Sequence, residues 1–226
     1  MIKGQFPNCI LIAANAYKMP FKKDVFDGGL MVRVLHHIER REKYIKELAR
    51  VLKKDAEYIQ EYANKIHLKA RVRAFLRKDK DFNSLEPFQQ PTIHLEGAKG
   101  DGVQFLNYHP KYIEKLFEQE DFEIEDKQGC SFLRVPLLKK VFGTNILTFI
   151  EKCLQKMFPK SNIPPSIFIK TELEVGDDEG EYPELKDILA CPNCKSSLSI
   201  DENNCYCEKC EKKYFRKNGV WDFRIE

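Results

Sequence analysis

Phe26-Asp-Gly-Gly-Leu-Met-Val-Arg-Val34 is the stretch on which the fold turns. It is near-continuously apolar from Leu30, as a parallel strand covered on both faces should be. From Glu39 to Lys53 the period becomes helical. Ile45, Leu48, Ala49 and Leu52 share one face, and Glu39–Lys43 and Glu42–Lys46 stand four apart on the other. Asp55 to Tyr62 returns to a strand pattern. Strand, helix, strand predicts a parallel α/β sheet. Upstream, Cys9 to Ala13 has the length of a buried strand, and the loop Asn15-Ala-Tyr-Lys-Met-Pro-Phe21 follows it.

Downstream, Asn64 predicts a cap for a helix reaching about Arg77. Residues 79–102 read as loop and Val103–Tyr108 as a short extended piece. His109-Pro110 opens a helix to Gln119, with proline suited to the first turn. Phe122–Lys127 and Ser166–Val175 read as late strands with an apolar helical region, 136–158, between them. Val141 to Phe158 carries Glu151, Lys152 and Lys156, so it is no membrane span. It reads as a buried or lid helix, with a place on a membrane surface as the alternative. Glu172 to Glu184 holds seven acidic residues with Gly176, Gly180 and Pro183, the composition of a solvated linker. The expected division is therefore a body at 1–175, a linker at 176–184 and a small domain at 185–226.

The composition of the 226 residues, 42% apolar and 32% charged, is that of an ordinary globular chain. A net charge of +3 neither requires nor excludes a nucleic-acid partner. Of the eight cysteines, four form two Cys-x-x-Cys pairs, while Cys9, Cys130 and Cys153 lie far apart in apolar stretches. Without an evident signal peptide, the expected compartment is the reducing cytoplasm.

The paired cysteines read Cys191-Pro-Asn-Cys194, twelve residues, then Cys207-Glu-Lys-Cys210. Two such turns facing each other supply a tetrahedral sulfur cage, which suits structural zinc and leaves no open position for catalysis. A domain this small draws much of its folding free energy from the metal. Leu198, Ile200, Tyr206, Tyr214, Val220, Trp221 and Phe223 can form a small sheet beside it. Cys205 is a bystander. The other readings are a redox Cys-x-x-Cys pair or four unrelated thiols. The stretch from Ile188-Leu-Ala-Cys-Pro-Asn-Cys194 through Asn218-Gly-Val-Trp-Asp-Phe223 resembles the zinc-ribbon proteins and domains that accompany methyltransferases. In that family the ribbon stabilises or activates a methyltransferase and performs no chemistry itself.

The first 130 residues resemble the later part of a class I S-adenosylmethionine (SAM)-dependent methyltransferase of type 11. The resemblance rests on Asn15-Ala-Tyr-Lys-Met-Pro-Phe21, Val25-Phe-Asp-Gly28, Arg33-Val-Leu-His-His-Ile38 and Tyr44-Ile-Lys-Glu-Leu-Ala-Arg-Val-Leu-Lys53, in the family's order. His109-Pro-Lys-Tyr-Ile-Glu-Lys-Leu-Phe117 with Asp121-Phe122 resembles its late helix. The resemblance implies a partial Rossmann-like methyltransferase sheet, α/β in class, followed by a small C-terminal zinc ribbon. It implies SAM as cofactor, with Asn15 and Ala16 at the adenine edge and Arg33 and Val34 at the strand end beside it. At the family's adenine carboxylate this chain has Asn15, whose amide oxygen can also accept that hydrogen bond. The resemblance assigns no catalytic base.

The family's glycine-rich cofactor turn and ribose-binding acid belong to strands that precede Cys9. Gly97-Ala-Lys-Gly-Asp-Gly102 neither follows a strand nor opens a helix, and reads as loop. In the family's sheet order two strands separate Cys9–Ala13 from Phe26–Val34, a gap of about 14 Å. Three outcomes are expected: the two strands pair directly, the first is poorly ordered, or another chain fills the gap. Each implies weak SAM binding or none.

Among the remaining candidates, His36 and His37 follow a strand end, where α/β sheets bind ligands. Glu61 and Tyr62 end the next strand and could contact substrate or remove a proton. Otherwise the four pack and cap their turns. Lys65, Lys69, Arg73 and Arg77 form a basic stripe that could meet phosphates or simply face solvent. The functional reading is a SAM-dependent methyltransferase with an unidentified acceptor and a C-terminal ribbon. The alternative is a non-catalytic module or inactive fragment that docks a partner protein or RNA.

Overall fold

The computed structural model describes residues 9–89, 105–133, 138, 142–177, 180 and 184–224. The Gly97–Gly102 cluster and His94 lie outside them. The chain divides into two compact units, one of residues 1–27, 42–54 and 175–226, the other of 28–41 and 55–174.

The first unit is built on a five-stranded sheet in the order β1-β11-β10-β9-β8, with β1 Leu11–Ala13, β8 Ser199–Ile200, β9 Asn204–Cys207, β10 Lys212–Lys217 and β11 Val220–Asp222. The last four run antiparallel, whereas β1 lies parallel to β11 with Leu11 opposite Val220 and Ala13 opposite Asp222. The first strand does not pair with Phe26–Val34, but fills the open edge of the cysteine-rich sheet. That edge satisfies its backbone groups, and the Phe223 amide donates to the Ala13 carbonyl at 2.8 Å. Ile12, Ala14 and Phe21 then pack on the core of Leu189, Tyr214, Trp221 and Phe223.

The compact units break at 174–175, beside the expected end of the body, and take residues 1–27 and 42–54 into the unit that holds 175–226. Helix α1, Arg41–Val51, also brings most of its residues to the first unit. Its buried Glu47 accepts from the Met19 amide at 2.7 Å, from Lys195 Nζ at 2.7 Å and from Arg50 Nε at 2.8 Å. Arg50 in turn donates to the Phe21 carbonyl at 2.9 Å. The start of the expected linker is docked too. Asp177 pairs with Lys23 at 2.8 Å, and Gly176 has a φ of +127°, where a side chain would be strained.

Burial alone would push the Glu47 carboxyl up, but the hydrogen bonds from Arg50 and Lys195 outweigh it and hold it below the usual carboxylate range. A depressed folded value stabilises above the unfolded value, and the stabilisation fades as pH falls through the folded one. Glu47→Gln should therefore cost about 2 kcal/mol at neutral pH, a partly exposed pair falling between surface and buried cases. The gap to the unsubstituted chain should close on acidification below the ordinary carboxylate range. Urea titrations of both chains across pH check this; a gap that does not vary with pH would contradict it.

The second unit holds a four-stranded sheet in the order β2-β3-β7-β6, with β2 Phe26–Met31, β3 Leu52–Ala63, β6 Phe122–Cys130 and β7 Ser166–Leu173. The parallel expectation fails at β3–β7 and at β7–β6, both antiparallel. The first expected strand is also not covered on both faces: β2 is an edge strand, exposed from Asp27 to Leu30. Gly28 permits its close approach to β3, because a Cβ there would lie 2.7 Å from the Glu57 carbonyl oxygen. In β7, Ile167, Ile169, Thr171 and Leu173 alternate as buried residues, the period of a strand with one covered face.

Helix α3, Pro110–Glu118, opens as expected, with His109 Nδ1 accepting from the Lys111 amide at 3.2 Å. Its Ile113, Leu116 and Phe117 are buried, and Phe117 meets Phe122 edge-on at 5.3 Å between ring centroids. Helix α2, Leu68–Arg77, follows His67 rather than Asn64 as its N-cap residue. Asn64 instead closes a turn of its own, accepting from the Ile66 amide at 3.0 Å and donating to the Asn162 and Pro164 carbonyls. Two-stranded β4–β5 pairs Phe88–Gln89 with Leu106–Asn107. Helix α4, Thr144–Met157, has no buried residue, so the expectation of a buried helix does not hold.

Candidate functional site: a cysteine cluster and a strand-end cleft

The cluster lies in the first unit. Cys191-Pro-Asn-Cys194 leads into β8, and Cys207-Glu-Lys-Cys210 joins β9 to β10. The residue after each pair, Lys195 and Glu211, sits in the left-handed region with φ of 61° and 53°. Both turns thus close alike and present two sulfurs each. The four Sγ atoms lie within 4.8 Å of one another, and those of Cys194 and Cys207 are 3.5 Å apart. Zinc–sulfur bonds of about 2.3 Å in a tetrahedron place sulfurs about 3.8 Å apart, so the donor set fits.

Tyr214 Oη lies 3.4 Å from Cys191 Sγ, and Asn193 donates to Cys210 Sγ at 3.5 Å. Hydrogen bonding from Ser196 holds the Cys194 thiol down to about 6, whereas burial pushes Cys207 up to about 11. Cys205 is buried on β9 outside the cluster, and burial lifts it to about 11 as well. Cys9, Cys130 and Cys153 take no part.

The cleft lies in the second unit, at the ends of β2 and β3, with a volume of about 370 Å³. Arg33, His36, Glu61, Asn64, Phe105 and Ser166 are among the residues that line it. Arg33 turns the chain out of β2 with a φ of 58°, unusual for a residue with a side chain. Its amide donates to Glu61 Oε2 at 2.9 Å, and Ser166 Oγ donates to Glu61 Oε1 at 2.5 Å. Glu61 is nonetheless at the cleft wall, where it can accept further. His36 lies against Phe105, the rings tilted by 36° with centroids 4.1 Å apart. Burial, reinforced by His37, lowers the basicity of His36, so a neutral imidazole faces the cleft.

Of the residues singled out in the sequence, His36 and Glu61 come together here. His37 is exposed, and Tyr62 is wholly buried with an Oη that has no partner among the described residues. Asn15 is exposed, and its Oδ1 accepts from the Tyr17 amide at 2.9 Å. Asn15 and Ala16 belong to the first unit, Arg33 and Val34 to the second. The basic stripe is broken at its first member: Lys65 is buried and donates to the Ser84 carbonyl, Ser84 Oγ and the Glu86 carbonyl. Ser166, the second holder of Glu61, carried no sequence signal, since it lies 105 residues further along the chain.

A family model described as a methyltransferase domain matches residues 2–59. No curated protein matches the chain. Among solved structures, a SAM-dependent methyltransferase from Methanosarcina mazei is 19% identical, with a TM-score of 0.42, covering 70% of this chain and 64% of that one. Another, from Thermotoga maritima, is 15% identical with a TM-score of 0.42, covering 70% and 61%. A third, from Archaeoglobus fulgidus, is 15% identical with a TM-score of 0.40, covering 76% and 71%. The chain thus spans less than two thirds of the length of the first two. No helix among the described residues is long and apolar enough to cross a membrane.

Proposed function

We propose that this chain is the acceptor-side part of a SAM-dependent methyltransferase, joined to a zinc ribbon. The match of residues 2–59 to a methyltransferase domain carries the reading. The strand-end cleft supports it, because a neutral imidazole and a fixed carboxylate there could orient a nucleophile for in-line methyl transfer, where positioning supplies most of the catalysis. Asn15, Ala16, Arg33 and Val34 are the residues that would meet SAM. Zinc would be held by Cys191, Cys194, Cys207 and Cys210 as a closed structural site, and would take no part in the reaction.

A second reading, a non-catalytic module, is favoured by one observation. β2 stands at the edge of its sheet with Leu30 66% exposed, an open template for a strand of another chain. Calorimetric titration of the purified chain with SAM separates the two. The enzyme expects a dissociation constant in the micromolar range, about −8 kcal/mol. Absence of heat at millimolar SAM would transfer the assignment to the module.

A further inference from the structure

We propose that the outward face of α2, together with that of α4, seats on an anionic phospholipid bilayer. In a surface helix the apolar row ordinarily faces the protein. In α2 the order is reversed. Ala74 is its one buried residue, while Leu68, Val72, Phe75 and Leu76 are exposed, Phe75 by 83% and Leu76 by 74%. Their spacing of four, three and one places them on one side of the helix, opposite Ala74. Lys69 and Arg73 flank that row on one side and Arg71 on the other, and no acidic residue occurs between Leu68 and Arg77. Lys69, Arg73 and Arg77 make no ion pair among the described residues.

Helix α4 repeats the arrangement. Ile146, Phe149, Ile150 and Met157 fall on one side and are exposed, Phe149 by 69%. Its only acid, Glu151, is turned to the backbone, accepting from the Phe132 and Leu133 amides at 3.1 and 3.0 Å. Lys152 and Lys156 remain at the surface. The start of α2 is tied to the segment that follows α4, since the Leu68 amide donates at 2.9 Å to the carbonyl of Ile163, six residues beyond Met157.

The occupant follows from charge. An apolar row flanked by cations matches acyl chains beneath anionic headgroups. Two copies meeting through this same face would set Lys69 and Arg73 against like charges. Nucleic acid would meet the cations, but leave Leu68, Val72 and Leu76 without the stacking partners that bases require.

Sedimentation of the full chain with vesicles tests it, comparing phosphatidylcholine alone with vesicles containing about one third phosphatidylserine. Binding to the anionic vesicles should be tighter by at least about tenfold, and should fall in about 0.5 M salt. Phe75→Ser with Leu76→Ser should abolish it with the melting temperature unchanged, because both side chains are exposed. Lys69→Glu with Arg73→Glu should weaken it independently of the apolar row. Equal binding by either double variant overturns the proposal, as does failure to bind anionic vesicles. Binding of an RNA oligonucleotide in place of vesicles, or a dimer that the serine variant disperses, also overturns it.

Discussion

A Cys207→Ser chain is expected to lose the zinc proposed for the cluster and, with it, the fold of residues 185–224. Tetrahedral thiolate zinc contributes about 10–16 kcal/mol in small domains, more than any side chain in this molecule can replace. The core beside the cluster is small: Leu189, Tyr214, Trp221 and Phe223 are its large buried side chains. The measurements are zinc per chain by atomic emission, and near-ultraviolet circular dichroism of Trp221. Cys205→Ala is the control, since Cys205 is buried beside the cluster without joining it. It should keep one zinc per chain. A Cys207→Ser protein that retained stoichiometric zinc would remove the assignment.

Phe117→Ala should cost the second unit about 3–5 kcal/mol, the range for deleting a buried aromatic ring. Phe117 is wholly buried, meeting Phe122 at 5.3 Å and Tyr58 at 6.1 Å between ring centroids. It therefore holds α3 to the sheet through side chains of β3 and β6, the strands on either side of β7. Phe117→Leu keeps most of the volume and should cost less than about 1.5 kcal/mol. Urea midpoints for the two variants give the comparison. A loss below about 1 kcal/mol for the alanine would mean that the site collapses around the gap.

The elements themselves were largely readable from the residues, because each carries a local signal. His109-Pro110 announced α3, and the expected strand Ser166–Val175 holds β7. Partnership was less readable. A short apolar run such as Leu11–Ala13 specifies a strand without naming its neighbour. Helical periodicity through Lys53 also concealed the start of β3 at Leu52, a strand that kinks at Asp55, where φ is 59°. The cysteine cluster was legible because its spacing is local. Part of the cleft was legible too, since His36 follows β2 and Glu61 lies near the end of β3, successive strands in the chain. The remainder depends on contacts that no short pattern encodes: Ser166 on Glu61, and Lys195 on Glu47 across 148 residues of chain.

The parallel docking of β1 on β11 changes what can be separated. Leu11–Ala13 and Val220–Asp222, more than two hundred positions apart, behave as one clasp. A peptide cut to the cysteine-rich stretch alone would bare the backbone of β11, inviting adhesion between copies. The smallest autonomous version of that piece therefore includes the amino-terminal strand, spliced on if necessary.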